Sequence, residues 1–218
     1  MKIETLLSGD GSSTLYLPEM DETYHSRHGA ITESQYVYIE QGLARQDGPS
    51  VKILEFGFGT GLNALLSIAY AQKKGLTLDY TSVEKYPLED AIIHQINYAT
   101  ELNMEEVWTR LHQLPWGEKT DWEVLHRLHK FKGDFRDVPL QKTSFDLVYY
   151  DAFGPGKQPE VWQPEYLQVA YDALKEGGML VTYCAQGQFK RNLKALGFQV
   201  ESLKGPPGKL EMVLAKKA

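Results

Sequence analysis

The sequence predicts one α/β unit built on a mostly parallel sheet, and three observations carry that prediction. Short apolar runs alternate with helix-patterned segments from residue 51 onward, the order that makes βαβ units. Residues 145–151 form a nearly continuous apolar run, as expected of a parallel strand covered on both faces. A tight glycine loop, Gly57-Phe58-Gly59-Thr60-Gly61, follows the first of these runs and opens a helix pattern.

Composition fits such a unit and narrows its setting. A chain of 218 residues, 42% hydrophobic and 24% charged, is globular and long enough to bury a core without disulfide or metal staples. Cys184 is the only cysteine, so no internal disulfide can form, which fits a reducing compartment. The opening MKIETLLSGDG has no apolar targeting core, and no run approaches the roughly 20 residues needed to span a bilayer. A cytoplasmic protein with no membrane partner is expected.

The elements follow in order. Residues 3–17 read as a β-hairpin turned by Gly9-Asp10-Gly11. A short helix is expected over 32–41, with Thr32 as cap and Gly42 as stop. These form an N-terminal extension, residues 1–45, packed on a core domain of residues 46–218. In the core, strands are expected at 51–56, 78–84, 145–151 and 178–183, with helices over 62–74, 164–175 and 189–196. Pro87 suits the first turn of a further helix. Strands at 198–203 and 209–215, joined through Gly205-Pro206-Pro207-Gly208, are close enough to form an antiparallel hairpin at one edge. Residues 101–132 give no clear pattern.

The glycine loop carries the strongest chemical signal. Glycines let the main chain turn sharply and leave bare backbone for a ligand, and the helix N-terminus offers free N–H groups. Dinucleotide folds use G-x-G-x-x-G to seat a pyrophosphate; here Leu62 stands where their third glycine falls, which disfavours a dehydrogenase. The tighter G-x-G-x-G formed by Gly57, Gly59 and Gly61, preceded by the acidic Glu55, resembles motif I of class I methyltransferases. There the loop cradles the methionine part of S-adenosylmethionine, which has no phosphate. Glu84 closes the next expected strand, where a carboxylate takes both ribose hydroxyls. Asp134 stands where such enzymes accept a hydrogen bond from the adenine amino group, with Phe135 beside it to pack on the ring. Asp151 closes the most apolar strand, and in doubly wound sheets ligands bind beyond the carboxyl ends of the strands. The six histidines show no ligand spacing with cysteine or acid, so no metal is expected.

A larger set of residues points to one family. Thr23-Tyr24-His25-Ser26, the loop extended through Leu62-Asn63, Asp151-Ala152-Phe153-x-Pro155, Pro159-Glu160-x-Trp162 and Lys209-x-Glu211-Met212 together resemble the MnmC methyltransferase domain and its stand-alone form, MnmD. The resemblance spans roughly residues 20–215. It implies a Rossmann-like class I methyltransferase fold and S-adenosylmethionine as cofactor, with S-adenosylhomocysteine as product. The reaction it implies is methylation of the aminomethyl group on the wobble (2-thio)uridine of tRNA. Bifunctional members add an FAD-dependent oxidase domain, for which a chain ending at Ala218 leaves no room, so no FAD is expected.

Roles follow from that resemblance. Asp151 orients the substrate amine and receives or relays its proton, while Tyr24, Phe153 and Trp162 stack on the flipped base of the anticodon stem-loop. The formal net charge is −6, but the residues from Gln186 onward carry about +5 and the rest about −11. Lys190, Arg191 and Lys209 are therefore expected on the tRNA phosphates. Two rivals share parts of the pattern. An aminopropyltransferase of the spermidine-synthase kind would suit the acidic charge, and a non-enzymatic nucleotide- or RNA-binding module would need the loop alone.

Overall fold

A computed structural model of the chain describes residues 2–122 and 126–218. Strands β1 (Glu4–Leu7) and β2 (Ser13–Leu17) form the expected hairpin, and a short β3 (Glu22–Thr23) adds a third antiparallel strand. Gly11, with φ +84°, makes the turn. The hairpin also starts the first helix, α1 (Ala30–Ser34). The amide of Ala30 donates to Ser8 Oγ at 3.1 Å, that of Ile31 to Ser12 Oγ at 3.2 Å, and that of Thr32 to Asp10 Oδ2 at 2.8 Å. The helix thus begins two residues before Thr32, and its cap is the hairpin turn some twenty residues upstream. It continues as a wider π-helical turn over Gln35–Glu40.

The main sheet has eight strands in the order β10-β11-β9-β8-β4-β5-β7-β6. Strand β4 (Ser50–Phe56) leads through the glycine loop into α2 (Leu62–Lys74), which Gly75 ends in a left-handed turn. Strand β5 (Thr77–Glu84) follows. Pro87 lies three residues ahead of α3 (Asp90–Ile93), in the connection and not in the helix. The unassigned stretch from residue 101 holds the end of α4 (Tyr98–Leu102), α5 (Glu105–Gln113), and strands β6 (Lys119–Trp122) and β7 (His126–Lys132); residues 123–125 within it lie outside the described residues. Lys130 of β7 is buried and donates to the carbonyls of Leu111 and His112 at the end of α5, which satisfies open carbonyls at that terminus.

Strand β8 (Phe145–Tyr150) precedes α6 (Pro164–Ala173), and β9 begins at once as Leu174–Thr182. The expected helix to residue 175 stops early because the carbonyls of Asp172 and Ala173 accept from the amides of Thr143 and Ser144. Helix α7 (Gly187–Ala195) leads to β10 (Phe198–Lys204) and β11 (Glu211–Lys217), which form the expected antiparallel hairpin. Strand β11 also pairs with β9, so the last strand lies between β9 and β10. The five inner strands are parallel, and both faces are covered: Leu147 and Tyr149 face one core, Val148 and Tyr150 the other. Among the described residues no helix is long and apolar enough to cross a membrane.

The cap of α1 has a testable pH dependence. Although partial burial opposes it, the donors from Ser12 and Thr32 hold the Asp10 carboxyl well below its usual range. A depressed carboxyl contributes stability above its unfolded value and loses it as pH falls through the folded one. Asp10→Ala should therefore cost about 1 kcal/mol at neutral pH, and denaturant titrations should show the difference shrinking below about pH 4.

Candidate functional site

The neighbouring parallel strands β4 and β8 end side by side, and their loops run in opposite directions, β4 toward α2 and β8 toward α6. This is the switch point at which open α/β sheets bind ligands. Gly57 has φ +95°, and a Cβ there would lie 2.4 Å from the carbonyl oxygen of Asp151. Only glycine lets the two main chains pass. Gly59, at φ +51°, gives its N–H to Glu84 Oε2 at 3.0 Å, and Glu84 Oε1 accepts from the amide of Tyr86 at 2.8 Å. The carboxylate at the end of β5 is thereby locked to the loop.

A cavity of about 650 Å³ opens over these ends, within the usual range for small-molecule sites. One end is lined by Gly57, Gly59, Glu84, Asp134, Phe135 and Tyr166. Partial burial alone would raise the Asp134 carboxyl, but the Arg136 amide, Lys85 and the Tyr166 hydroxyl hold it below its ordinary value. Phe135 packs on Phe56 with ring centres 4.6 Å apart and presents its remaining surface to the cavity. These residues fit an adenosine: a carboxylate for the ribose, an acceptor for the amino group, aromatic surface for the ring, and bare glycine backbone beside them. Tyr24 and Phe153 meet edge to face across the opening, 5.0 Å between centres.

The other end holds Asp151. Tyr38 donates its hydroxyl to Oδ1 at 2.6 Å, and Asn63 donates its amide to Oδ2 at 2.7 Å. Burial pushes the carboxyl up to about 6 against those two donors. Both donors went unread in the sequence. Tyr38 stands over a hundred residues away, inside the N-terminal extension, and Asn63 looks like any polar residue in a helix's first turn. Glu33 and His25 also line this end. His25 contacts Thr60 Oγ1 at 2.7 Å, and burial depresses its imidazole to about 4.

Four expected residues stand elsewhere. Glu55 is fully buried under the loop and does not reach the cavity: it accepts from Ser82 Oγ at 2.6 Å, and burial lifts it to about 8. Gly61 caps α2 at φ +82° and faces Phe58 and His112. Trp162 is 3% exposed and stacks in the core, giving its indole N–H to the Phe153 carbonyl at 2.8 Å; it holds the rim and is not available to a base. Lys190 is paired with Glu211 at 2.8 Å. Arg191 is exposed on α7 and donates to Gln188, while Lys209 lines the cavity itself.

Residues 123–218 match the family model for S-adenosyl-L-methionine-dependent methyltransferases. The crystal structure of MNMC2 from Aquifex aeolicus superposes with a TM-score of 0.83 at 26% identity, covering 98% of this chain and 69% of that one. The bifunctional protein MnmC of Actinobacillus pleuropneumoniae, named for tRNA 5-methylaminomethyl-2-thiouridine biosynthesis, is 30% identical over 97% of this chain and 35% of its own length. Its Pseudoalteromonas atlantica counterpart is 29% identical over 88% of this chain and 30% of its own. Over nearly all of its length the chain is similar to MnmC proteins and to MNMC2, and its residues 123–218 match the S-adenosylmethionine-dependent methyltransferase family. It spans about a third of the length of the curated MnmC relatives it matches.

Glu55 offers a test of what lies beneath the loop. A carboxyl raised in the fold contributes stability that is full below its unfolded value and lost as pH rises through the folded one. Between about pH 4.5 and 8 the wild type should therefore lose on the order of a few kcal/mol through Glu55. Glu55→Gln should flatten that decline in melts recorded across pH and leave S-adenosylhomocysteine affinity within about twofold, a change worth less than 1 kcal/mol.

Proposed function

We propose that this chain methylates the aminomethyl nitrogen on a wobble uridine, or 2-thiouridine, in the anticodon stem-loop of tRNA. The observation that carries the proposal is the placement of Asp151. It is a raised carboxyl at the carboxyl end of a parallel strand, in one cavity with an adenosine-type site and behind an aromatic opening. The MnmC names of the relatives supply the substrate class.

Bound S-adenosylmethionine supplies an electrophilic methyl group on sulfonium sulfur. Gly57, Gly59, Glu84, Asp134 and Phe135 hold it. The nucleophile is a primary amine, which has no lone pair while protonated. Asp151 receives it at the inner end of the cavity. Each carboxylate oxygen has one donor behind it, from Tyr38 or Asn63, so a second lone pair on each is left for the amine. A carboxyl lifted to about 6 is a stronger proton acceptor than an exposed aspartate, and its fixed rotamer orients the nitrogen. Tyr24 and Phe153, packed edge to face on each other, offer aromatic surface to the extruded base, as aromatic side chains hold unstacked bases in single-stranded loops. Arg191 on α7 and the exposed Arg27 and Lys157 of the cavity lining are cations open to flanking phosphates. The similarity to MnmC proteins over 97% of this chain disfavours aminopropyl transfer.

Incubation of aminomethyl-uridine tRNA with labelled cofactor, followed by mass spectrometry of the nucleosides, should yield methylaminomethyl uridine. Asp151→Ala should lower turnover roughly 10²-fold or more with S-adenosylhomocysteine affinity nearly intact. Glu84→Ala should instead weaken calorimetric binding of that product by about 1.5–3 kcal/mol. An unmodified nucleoside pool with wild-type enzyme would overturn the proposal.

A further inference from the structure

Lys209 is partly buried, its side chain 32% exposed. It is drawn inward, to the end of the cavity where Asp151 lies. Its ammonium pairs with the buried carboxylate of Glu33 and stands 4.1 Å over the centre of the Tyr183 ring. Tyr183 in turn donates its hydroxyl to the carbonyl of Ala152 at 2.8 Å, next to Asp151 in the chain. The second Glu33 oxygen accepts from the Ser26 amide at 2.9 Å. The backbone of the loop is also fixed, Lys209 N–H to the Pro206 carbonyl at 2.9 Å and Gly205 N–H to that of Leu210 at 3.0 Å. A long side chain that ordinarily samples many rotamers is thus held in one place, beside the proposed amine site.

The surrounding groups decide what that charge does. Burial keeps His25 neutral, depressed to about 4, and raises the Tyr38 and Tyr183 hydroxyls and the Cys184 thiol away from ionisation. The charged groups left at this end are Asp151, Glu33 and Lys209, while Arg27, Lys157, Glu160, Glu22 and the imidazole of His28, which packs on Gly208 next to Lys209, line the cavity from more exposed positions. Two carboxylates alone would stabilise an ammonium and withhold the lone pair that methyl transfer requires. A fixed cation cancels one of them and opposes a second positive charge nearby.

We propose that Lys209, positioned by Glu33 and Tyr183, is an electrostatic positioning residue that keeps the bound amine neutral opposite Asp151. The inference rests on the primary-amine substrate proposed above. It assigns Lys209 a task that a phosphate contact could not perform, because it acts on the protonation of the nucleophile and not on the affinity for RNA.

Single-turnover methylation of aminomethyl-uridine tRNA, at saturating enzyme and across pH, tests it. Lys209→Met should move the acid limb of the rate upward by about one pH unit or more, the effect of a unit charge a few ångströms away in a partly solvated site. At the foot of the limb that shift is about a tenfold loss, fading at alkaline pH. Lys209→Arg should return the limb toward the wild-type position. Glu33→Gln should move it downward, which keeps the test independent of whether the methionine variant folds well. Calorimetric binding of S-adenosylhomocysteine and the salt dependence of tRNA binding should both be unchanged by Lys209→Met. A limb that stays in place while Lys209→Met loses the same factor at every pH overturns the inference. So does a flattened salt dependence without a limb shift, which would make Lys209 a phosphate contact. Wild-type enzyme with no activity on this tRNA would instead overturn the substrate reading and take the inference with it.

Discussion

At the carboxyl ends of β4 and β8 two main chains approach so closely that a single methylene would separate them. Gly57 lies against the carbonyl of Asp151, and the amide of Asp151 reaches the carbonyl of Phe56 at 2.9 Å. This contact places the cofactor loop and the acid in one frame. Because the two strands are adjacent and parallel, the loop leaves toward one face of the sheet and the chain after Asp151 toward the other. The opening between them is the cavity. Glu84 ties the second parallel strand to the same loop through the Gly59 amide, so the floor of the site is set by backbone geometry before any ligand arrives.

Beneath that floor lies a buried polar layer, which is unusual for the core of a parallel sheet. Asn63 gives its amide to Asp151 and lies beside Glu55, which accepts from Ser82 and has Tyr80 next to it. Buried polar groups are costly unless they are paired. Here the cost is limited because Glu55 is lifted far enough to carry a proton and thus to donate as well as accept. The layer fixes Asn63, Asn63 fixes one oxygen of Asp151, and Tyr38 from the N-terminal extension fixes the other. The extension therefore completes the site, through Tyr38, Tyr24, His25 and Glu33.

What was legible in the sequence follows from this division. Elements with a strong local signature were readable: the apolar strand 145–150, the helix between Gly61 and Gly75, the terminal hairpin around Gly205–Gly208. The meeting of Gly57, Gly59 and Glu84 at one cavity was readable too, because they stand at fixed offsets along consecutive elements. Three kinds of feature were not. The start of α1 depends on Ser8, Ser12 and Asp10, which no window around Thr32 contains. The partners of Asp151 come from residues 38 and 63, close in space only after the sheet forms. Pattern also could not separate an aromatic that lines the cavity from one that holds its rim: Trp162 packs against Tyr150 and edge-on to Phe189, while Tyr24 and Phe153 line the cavity. The acidic residue before the glycine loop misled in the same way, because Glu55 is fully buried against Ser82 of β5, beneath the loop and outside the cavity lining.

Charge shows most clearly how folding rewrites a linear reading. The basic tail looks like one cationic face, yet three of its residues are turned to other tasks. Lys217 is buried against the carbonyls of Tyr171 and Leu174, Lys190 is paired with Glu211, and Lys209 with Glu33. Meanwhile Arg27 and Lys157, from segments with no basic bias, arrive at the cavity with Lys209. A chain of net charge −6 repels a polyanion over most of its surface, which weakens non-specific adherence to nucleic acid, since that adherence is almost entirely electrostatic. For the proposed tRNA substrate, Arg27, Lys85 and Lys157 supply attraction at the site itself, and the base that enters the cavity decides which RNA stays. An acidic protein can in this way act on RNA with little affinity for RNA in general, provided that some of its cations stand where the chemistry occurs.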